Sequence, residues 1–172
     1  MSRPLTVTIT VNGHRLTRSA DGHLSLLRWL REVANVTDPK YGCGEGVCGA
    51  CTVLMDGQEI SSCIVLAAQA DGCEVTTAAG LCESDGSLGP LQQAFHQHHA
   101  AQCGFCTPGM LMCAVAMLAD GRAGSRAGIR EALHANICRC TGYGPIVSAI
   151  ESARDAAEVA EPGVAEPETA EP

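Results

Sequence analysis

Eight of the chain's eleven cysteines fall into two sets of four. Cys43, Cys48, Cys51 and Cys63 read C-x4-C-x2-C-x11-C. Cys103, Cys106, Cys138 and Cys140 read C-x2-C, a gap of 31 residues, then C-x-C. The first spacing is that of a plant-type [2Fe–2S] centre, in which four thiolates share two irons. The second is less specific, because four thiolates at such intervals suit tetrahedral zinc as well as iron–sulfur. Spacing alone leaves both open; a redox centre in the same chain favours iron–sulfur. Disulfides are disfavoured, since C-x2-C and C-x-C pairs would close very small loops. Two iron–sulfur centres in 172 residues describe a two-station electron relay, with no source or sink of electrons visible in the chain.

The loop around the first three ligands runs from Tyr41 to Cys51 and contains Gly42, Gly44, Gly46 and Gly49. A cluster held by four thiolates is anionic, and inward-pointing backbone N–H groups stabilise that charge. Wrapping the backbone so tightly calls for positive φ at several positions, which glycine supplies cheaply. Residues 44–49 also satisfy G-x-G-x-x-G. That match is rejected as a dinucleotide fingerprint, because no strand leads into it, no helix opens after it, and Cys48 lies inside it.

The elements that must position these residues fall into two halves. Leu5, Val7, Ile9 and Val11 alternate with polar residues as in a half-buried strand. Asn12-Gly13 predicts a hairpin turn with Arg15 to Arg18 returning. Leu26, Leu27, Leu30 and Val33, with Trp29 beside them, repeat at helical spacing. Cys51–Met55 and Glu74–Thr77 read as further strands, with a turn at Asp56-Gly57. This describes a small α+β ferredoxin-like sheet ending near residue 80. Beyond residue 85 the pattern is helical. Leu91, Ala94 and Phe95 mark one face, Leu111, Val115 and Leu118 a second, Ile129, Ala132 and Leu133 a third, and Val147, Ile150 and Ala153 a fourth. Thr107-Pro108 and Gly144-Pro145 follow cysteine motifs and read as N-cap plus first helical residue. They would aim two helix N-termini toward the second centre. A four-helix bundle, pseudo-symmetric in its helix pairs, is the expected second half. The predicted organisation is residues 1–80, residues 81–156, and a disordered acidic tail at 157–172.

Aromatic residues make up 3% of the chain, so metal ligation is expected to supply cohesion that large side chains do not. The formal net charge is −8. Residues 151–172, with seven acids and one base, carry most of it. No basic stripe exists, which argues against nucleic acid. The N-terminal residues lack the apolar run of a secretory signal, and no segment has the length of a membrane span. With so many cysteines, this predicts a reducing, cytoplasmic setting.

Three stretches together resemble a known family: Tyr41–Gly57 (YGCGEGVCGACTVLMDG), Gln102–Gly109 (QCGFCTPG) and Asn136–Tyr143 (NICRCTGY). They are similar to the small iron–sulfur subunit of the molybdenum hydroxylases, the xanthine oxidase and carbon monoxide dehydrogenase group, from about residue 4 to residue 155. The resemblance implies a β-grasp, plant-type ferredoxin-like N-terminal domain followed by a four-helix [2Fe–2S] domain. It implies that Cys43, Cys48, Cys51 and Cys63 hold the cluster distal to molybdenum. Cys103, Cys106, Cys138 and Cys140 would hold the proximal one. Gln102 and Cys140 would lie against the pterin of a molybdenum cofactor on a large partner subunit. Electrons would run from molybdenum through both clusters to FAD on a medium subunit, in a dimer of heterotrimers. Substrate chemistry would then sit on the large subunit, with no catalytic residue in this chain. One departure is Thr37-Asp38-Pro39-Lys40 where Thr-Gly-Thr-Lys is common, expected to alter the surface near the flavin partner; the acidic tail is another.

Other residues carry weaker signals. Cys73, Cys82 and Cys113 are left over, and Cys113 reads as a small buried hydrophobe. His96 and His99 are helical neighbours, but with His98 they read as a solvated or interface face. Glu45 reads as exposed, and Arg139 as a charge offset to the cluster or a partner contact. A stand-alone ferredoxin is the rival reading, opposed by the helical second half. A zinc-stabilised interaction module is opposed by the plant-type loop.

Overall fold

Alternation in the first strand builds the first hairpin. β1 (Leu5–Val11) pairs antiparallel with β2 (His14–Ala20), and Val7, Ile9 and Val11 are buried. Asn12 (φ 48°) and Gly13 (φ 80°) are both left-handed, which suits the twist of a two-residue hairpin. A computed structural model describes residues 4–160; the tail predicted from residue 157 lies outside them beyond Ala160, and the last helix runs up to that residue. Asp56 and Gly57 repeat the left-handed pair between β3 (Thr52–Met55) and β4 (Gln58–Ser61). The sequence does not announce β4, because Gln58–Ser61 contains a single apolar residue. β5 (Glu74–Thr76) completes a five-stranded sheet in the order β2-β1-β5-β3-β4. β1 and β5 are parallel, and the other pairs are antiparallel.

The predicted first helix is present but wound wider at its end. α1 (Leu26–Arg28) starts at Ser25, whose hydroxyl accepts the Arg28 N–H, and continues into a π-helical turn over Trp29–Val33. Leu26, Leu27, Trp29 and Leu30 are completely buried. The helix and sheet enclose one core, the β-grasp arrangement.

The second half alternates short and long helices: α2 (Pro90–Gln97), α3 (Thr107–Ala119), α4 (Arg126–Ala132) and α5 (Gly144–Ala160). Each long helix follows a cysteine motif. They surround a second core containing Phe95, Met110, Met117, Ile129, Leu133, Ile146 and Ile150. Two expectations are corrected. α3 buries more than the face of Leu111, Val115 and Leu118: Leu111 is buried and Val115 and Leu118 are half-buried against the core, but Met110, Met112, Cys113, Ala114 and Met117 are buried too. A helix enclosed nearly all round has no single apolar stripe to read. Thr107 is not the N-cap of α3; Cys106 occupies that position, and the buried Thr107 hydroxyl has no partner. Gly144 likewise is already helical.

The halves meet along β3 and α3. Leu54 of β3 belongs to the helical core, and Gly109 of α3 lies against Gly49 and Ala50 of the cysteine loop. Arg122 binds Glu59 of β4 at 3.2 Å and Asp120 at 2.6 Å. The unusual Asp38 ties its loop to the segment after β5, since its carboxylate accepts the Ala79 N–H at 3.0 Å. Among the described residues, no helix is long and apolar enough to cross a membrane.

Candidate metal centres

The first loop folds back on its own sulfurs. The Cys43 N–H donates to Cys48 Sγ at 3.4 Å, and the Glu45 N–H to Cys43 Sγ at 3.3 Å. Gly44, Gly46 and Gly49 have positive φ, as the loop requires. Gly42 is needed for a different reason: a Cβ there would lie 2.7 Å from Cys48 Sγ. Cys63 arrives from the far side, just after β4, and pairs with Cys51. Backbone N–H groups of Glu45 and Val47 draw the Cys43 thiol down to about 6. Burial, then Cys51, pushes Cys63 up to about 11.

The second set is assembled from two segments that the sequence separates widely. Cys103 and Cys106 lead into α3; Cys138 and Cys140 precede α5. Cys140 and Cys103 approach to 3.6 Å, and Cys106 pairs with Cys138. Burial, then Cys138, pushes Cys106 up to about 12. Burial acts upward on Cys138 too, but the Thr141 hydroxyl at 3.1 Å and N–H at 3.4 Å bring it down. The Phe105 backbone and Cys140 lower Cys103, and the contact with Cys103 raises Cys140. A thiol beside a thiolate shares its proton; a bound cation would replace that proton for both partners.

Cys43 likewise pairs with Cys48 through their thiols, so each set presents four sulfurs grouped two and two. A single zinc would need all four within about 3.8 Å of one another, from a Zn–S bond of about 2.3 Å. Among the described residues, no three ligand-type side chains gather as one metal ion requires. Two pairs of thiolates are the donor set of a two-iron centre, so these residues fit the [2Fe–2S] group.

The two sets open onto a common cleft of about 260 Å³. It is lined by Cys43 and Cys48 of the first set and all four cysteines of the second, with Ala50, Phe105, Ile137 and Arg139 between them. Cys103 and Cys140 are exposed, as is Gln102 beside them. Of the other singled-out residues, Arg139 lines this cleft and the rest lie outside it. Glu45, Arg139, His96 and His99 are exposed, Cys82 is exposed and Cys73 half-buried. Cys113 is buried in the helical core, with its thiol pushed up to about 12 by burial and by Glu59. Reading the sequence missed Asn136, which is 2% exposed with neither amide atom partnered. It also missed the Tyr143 hydroxyl, which holds the backbone at Asn136 and Cys138. Their place flanking the C-x-C motif was the available signal.

Comparison with known proteins agrees with this geometry. Residues 9–82 match the 2Fe-2S iron-sulfur cluster binding domain family, and residues 77–151 the [2Fe-2S] binding domain family. The chain is 49% identical to the nicotine 6-hydroxylase small subunit of Paenarthrobacter nicotinovorans over 84% of this chain and 86% of that one. It is 44% identical to the xanthine dehydrogenase iron-sulfur-binding subunit of Escherichia coli, over 87% of this chain and 94% of that one. The crystal structure of quinoline 2-oxidoreductase from Pseudomonas putida 86 superposes with a TM-score of 0.87 at 43% identity, covering 94% of this chain and 100% of the matched chain. The chain belongs to the small iron–sulfur subunits of the molybdenum hydroxylase family, electron-transfer components of oxidoreductase complexes.

Proposed function

We propose that this chain carries electrons from a molybdenum cofactor on a large partner subunit to FAD on a medium one, in a dimer of heterotrimers in the cytoplasm. Residues 1–80 would form the distal domain, with Cys43, Cys48, Cys51 and Cys63 as ligands. Residues 81–156 would form the proximal domain, with Cys103, Cys106, Cys138 and Cys140. When bound, each centre would accept and release one electron at a time. The observation that carries this reading is the common cleft, which brings both thiol sets together inside one chain. The exposed Cys103/Cys140 pair, with exposed Gln102, supports entry from a pterin at that end. Tyr41, Val47 and Ile64, all exposed around the first loop, support an apolar contact with the flavin subunit at the other. One relative is named for nicotine and the solved neighbour for quinoline. A substrate pocket on the large partner would make that choice, independently of the residues here.

The test is purification of the native complex with metal, flavin and spectroscopic analysis. About four irons and four inorganic sulfides per chain are expected, with two distinguishable signals on reduction. Molybdenum and FAD should co-purify. One signal, or stoichiometric zinc, would sink the assignment.

A further inference from the structure

Tyr143 occupies the left-handed region, at φ 68°, which a bulky side chain adopts only where its surroundings hold it. Its N–H donates to the Thr141 hydroxyl at 3.1 Å. Its own hydroxyl faces two backbone groups: it accepts the Cys138 N–H at 2.9 Å and donates to the Asn136 carbonyl at 3.1 Å. One side chain thereby clamps both ends of the 136–138 segment. The N–H between them, that of Ile137, points outward and donates to the Cys48 carbonyl at 3.0 Å.

Cys48 and Cys138 belong to different thiol sets. The covalent path from one sulfur to the other is interrupted by that single hydrogen bond. The seam is closed on its inner side, where buried Asn136 abuts Gly49. We propose that Tyr143 is a positioning residue for electron transfer between the two centres: its hydroxyl holds the Ile137 N–H on the Cys48 carbonyl. This rests on the relay reading given above.

The test uses the assembled complex with three substitutions. Tyr143→Phe keeps the ring against the helical core and removes only the hydroxyl. Ile137→Pro removes the N–H; Asn136, at φ −120° and ψ 109°, already has the extended backbone that a following proline requires. Ile137→Ala keeps the N–H and trims an exposed side chain. Electrons are fed in at the second centre, and their arrival at the first is followed by freeze-quench paramagnetic resonance. Spin–spin splitting in the fully reduced protein and iron content are also recorded. Ile137→Pro, which deletes the N–H, should slow arrival and alter the splitting; Tyr143→Phe, which leaves the N–H but frees its segment, should do both to a smaller extent; Ile137→Ala should match the wild type. Unchanged arrival and splitting in either clamp variant with full iron, or equal slowing in Ile137→Ala, overturns the proposal. Amide hydrogen exchange at Ile137 tests the clamp whatever the iron content. It should quicken about fivefold in Tyr143→Phe, and unchanged exchange overturns the clamp. A wild-type complex that moves no electron between its centres refutes the relay reading instead.

Discussion

Gly109→Ala should destabilise the protein, although the same change in an exposed helix stabilises by about 1 kcal/mol. Gly109 lies in the first turn of α3, against the first cysteine loop. A Cβ there would run into the Gly49 carbonyl oxygen and lie 3.0 Å from its carbon and 3.3 Å from Ala50 Cα. That carbonyl cannot swing aside freely, because the Thr52 N–H (3.1 Å) and hydroxyl (2.8 Å) both donate to it. Relief requires α3 to back away or the loop to give up a Thr52 hydrogen bond. Overpacking costs about 1–3 kcal/mol and a net hydrogen bond about 1 kcal/mol. Less the propensity gain, about 1–3 kcal/mol of destabilisation remains. For a chain of this length that lowers the thermal midpoint by roughly 2–12 °C. The assay is thermal loss of visible cluster absorbance, compared as apparent midpoints because metal loss accompanies unfolding. Gly124→Ala is the control, since a Cβ there meets nothing within 4 Å; its midpoint should hold or rise slightly. A Gly109→Ala midpoint at or above wild type, or an equal drop in the control, refutes the reasoning.

Three further outcomes are expected. Burial and Glu59 raise the Cys113 thiol to about 12, above its unfolded value of about 8.5, so its contribution is complete below that pH and is lost as pH rises toward 12; Cys113→Ala should flatten the alkaline fall in urea midpoints, and a parallel fall in both proteins would count against it. Trp29 is fully buried with its indole N–H unpartnered; removing that orphan donor offsets lost packing, so Trp29→Phe should cost under about 1.5 kcal/mol while Trp29→Ala costs about 3–5 kcal/mol, and equal urea midpoints for the two would contradict this. In the assembled complex, Cys48→Ser should leave the second centre reducible while electrons fail to reach flavin. Cys106→Ser removes a thiol of the second set at the N-cap position of α3, where its side chain makes no capping bond, and should silence the second centre itself; identical single-turnover behaviour of the two variants would break the ordered relay.

Both thiol sets, the β1–β2 hairpin and the four later helices were legible in the chain because their signals are local. Cysteine intervals, Asn12-Gly13, and apolar residues at helical spacing each act within a few positions. β4 was not legible: Gln58–Ser61 has no alternation, and its pairing with β3 is decided by the left-handed Asp56-Gly57 turn and the sheet beside it. The face read for α3 was only part of its buried surface, because a helix buried nearly all round has no polar side to mark its outer one. Which thiols pair was beyond the sequence too. Cys103 meets Cys140, and Cys106 meets Cys138, only because α3 and α5 bring their starts together across 31 intervening residues. The joining of the two loops was likewise a tertiary decision. Gly109 allows α3 to reach the Gly49 carbonyl, and the Tyr143 hydroxyl frees the Ile137 N–H for Cys48. Those contacts depend on separations of a few ångströms between segments remote in the chain, which local propensity does not encode.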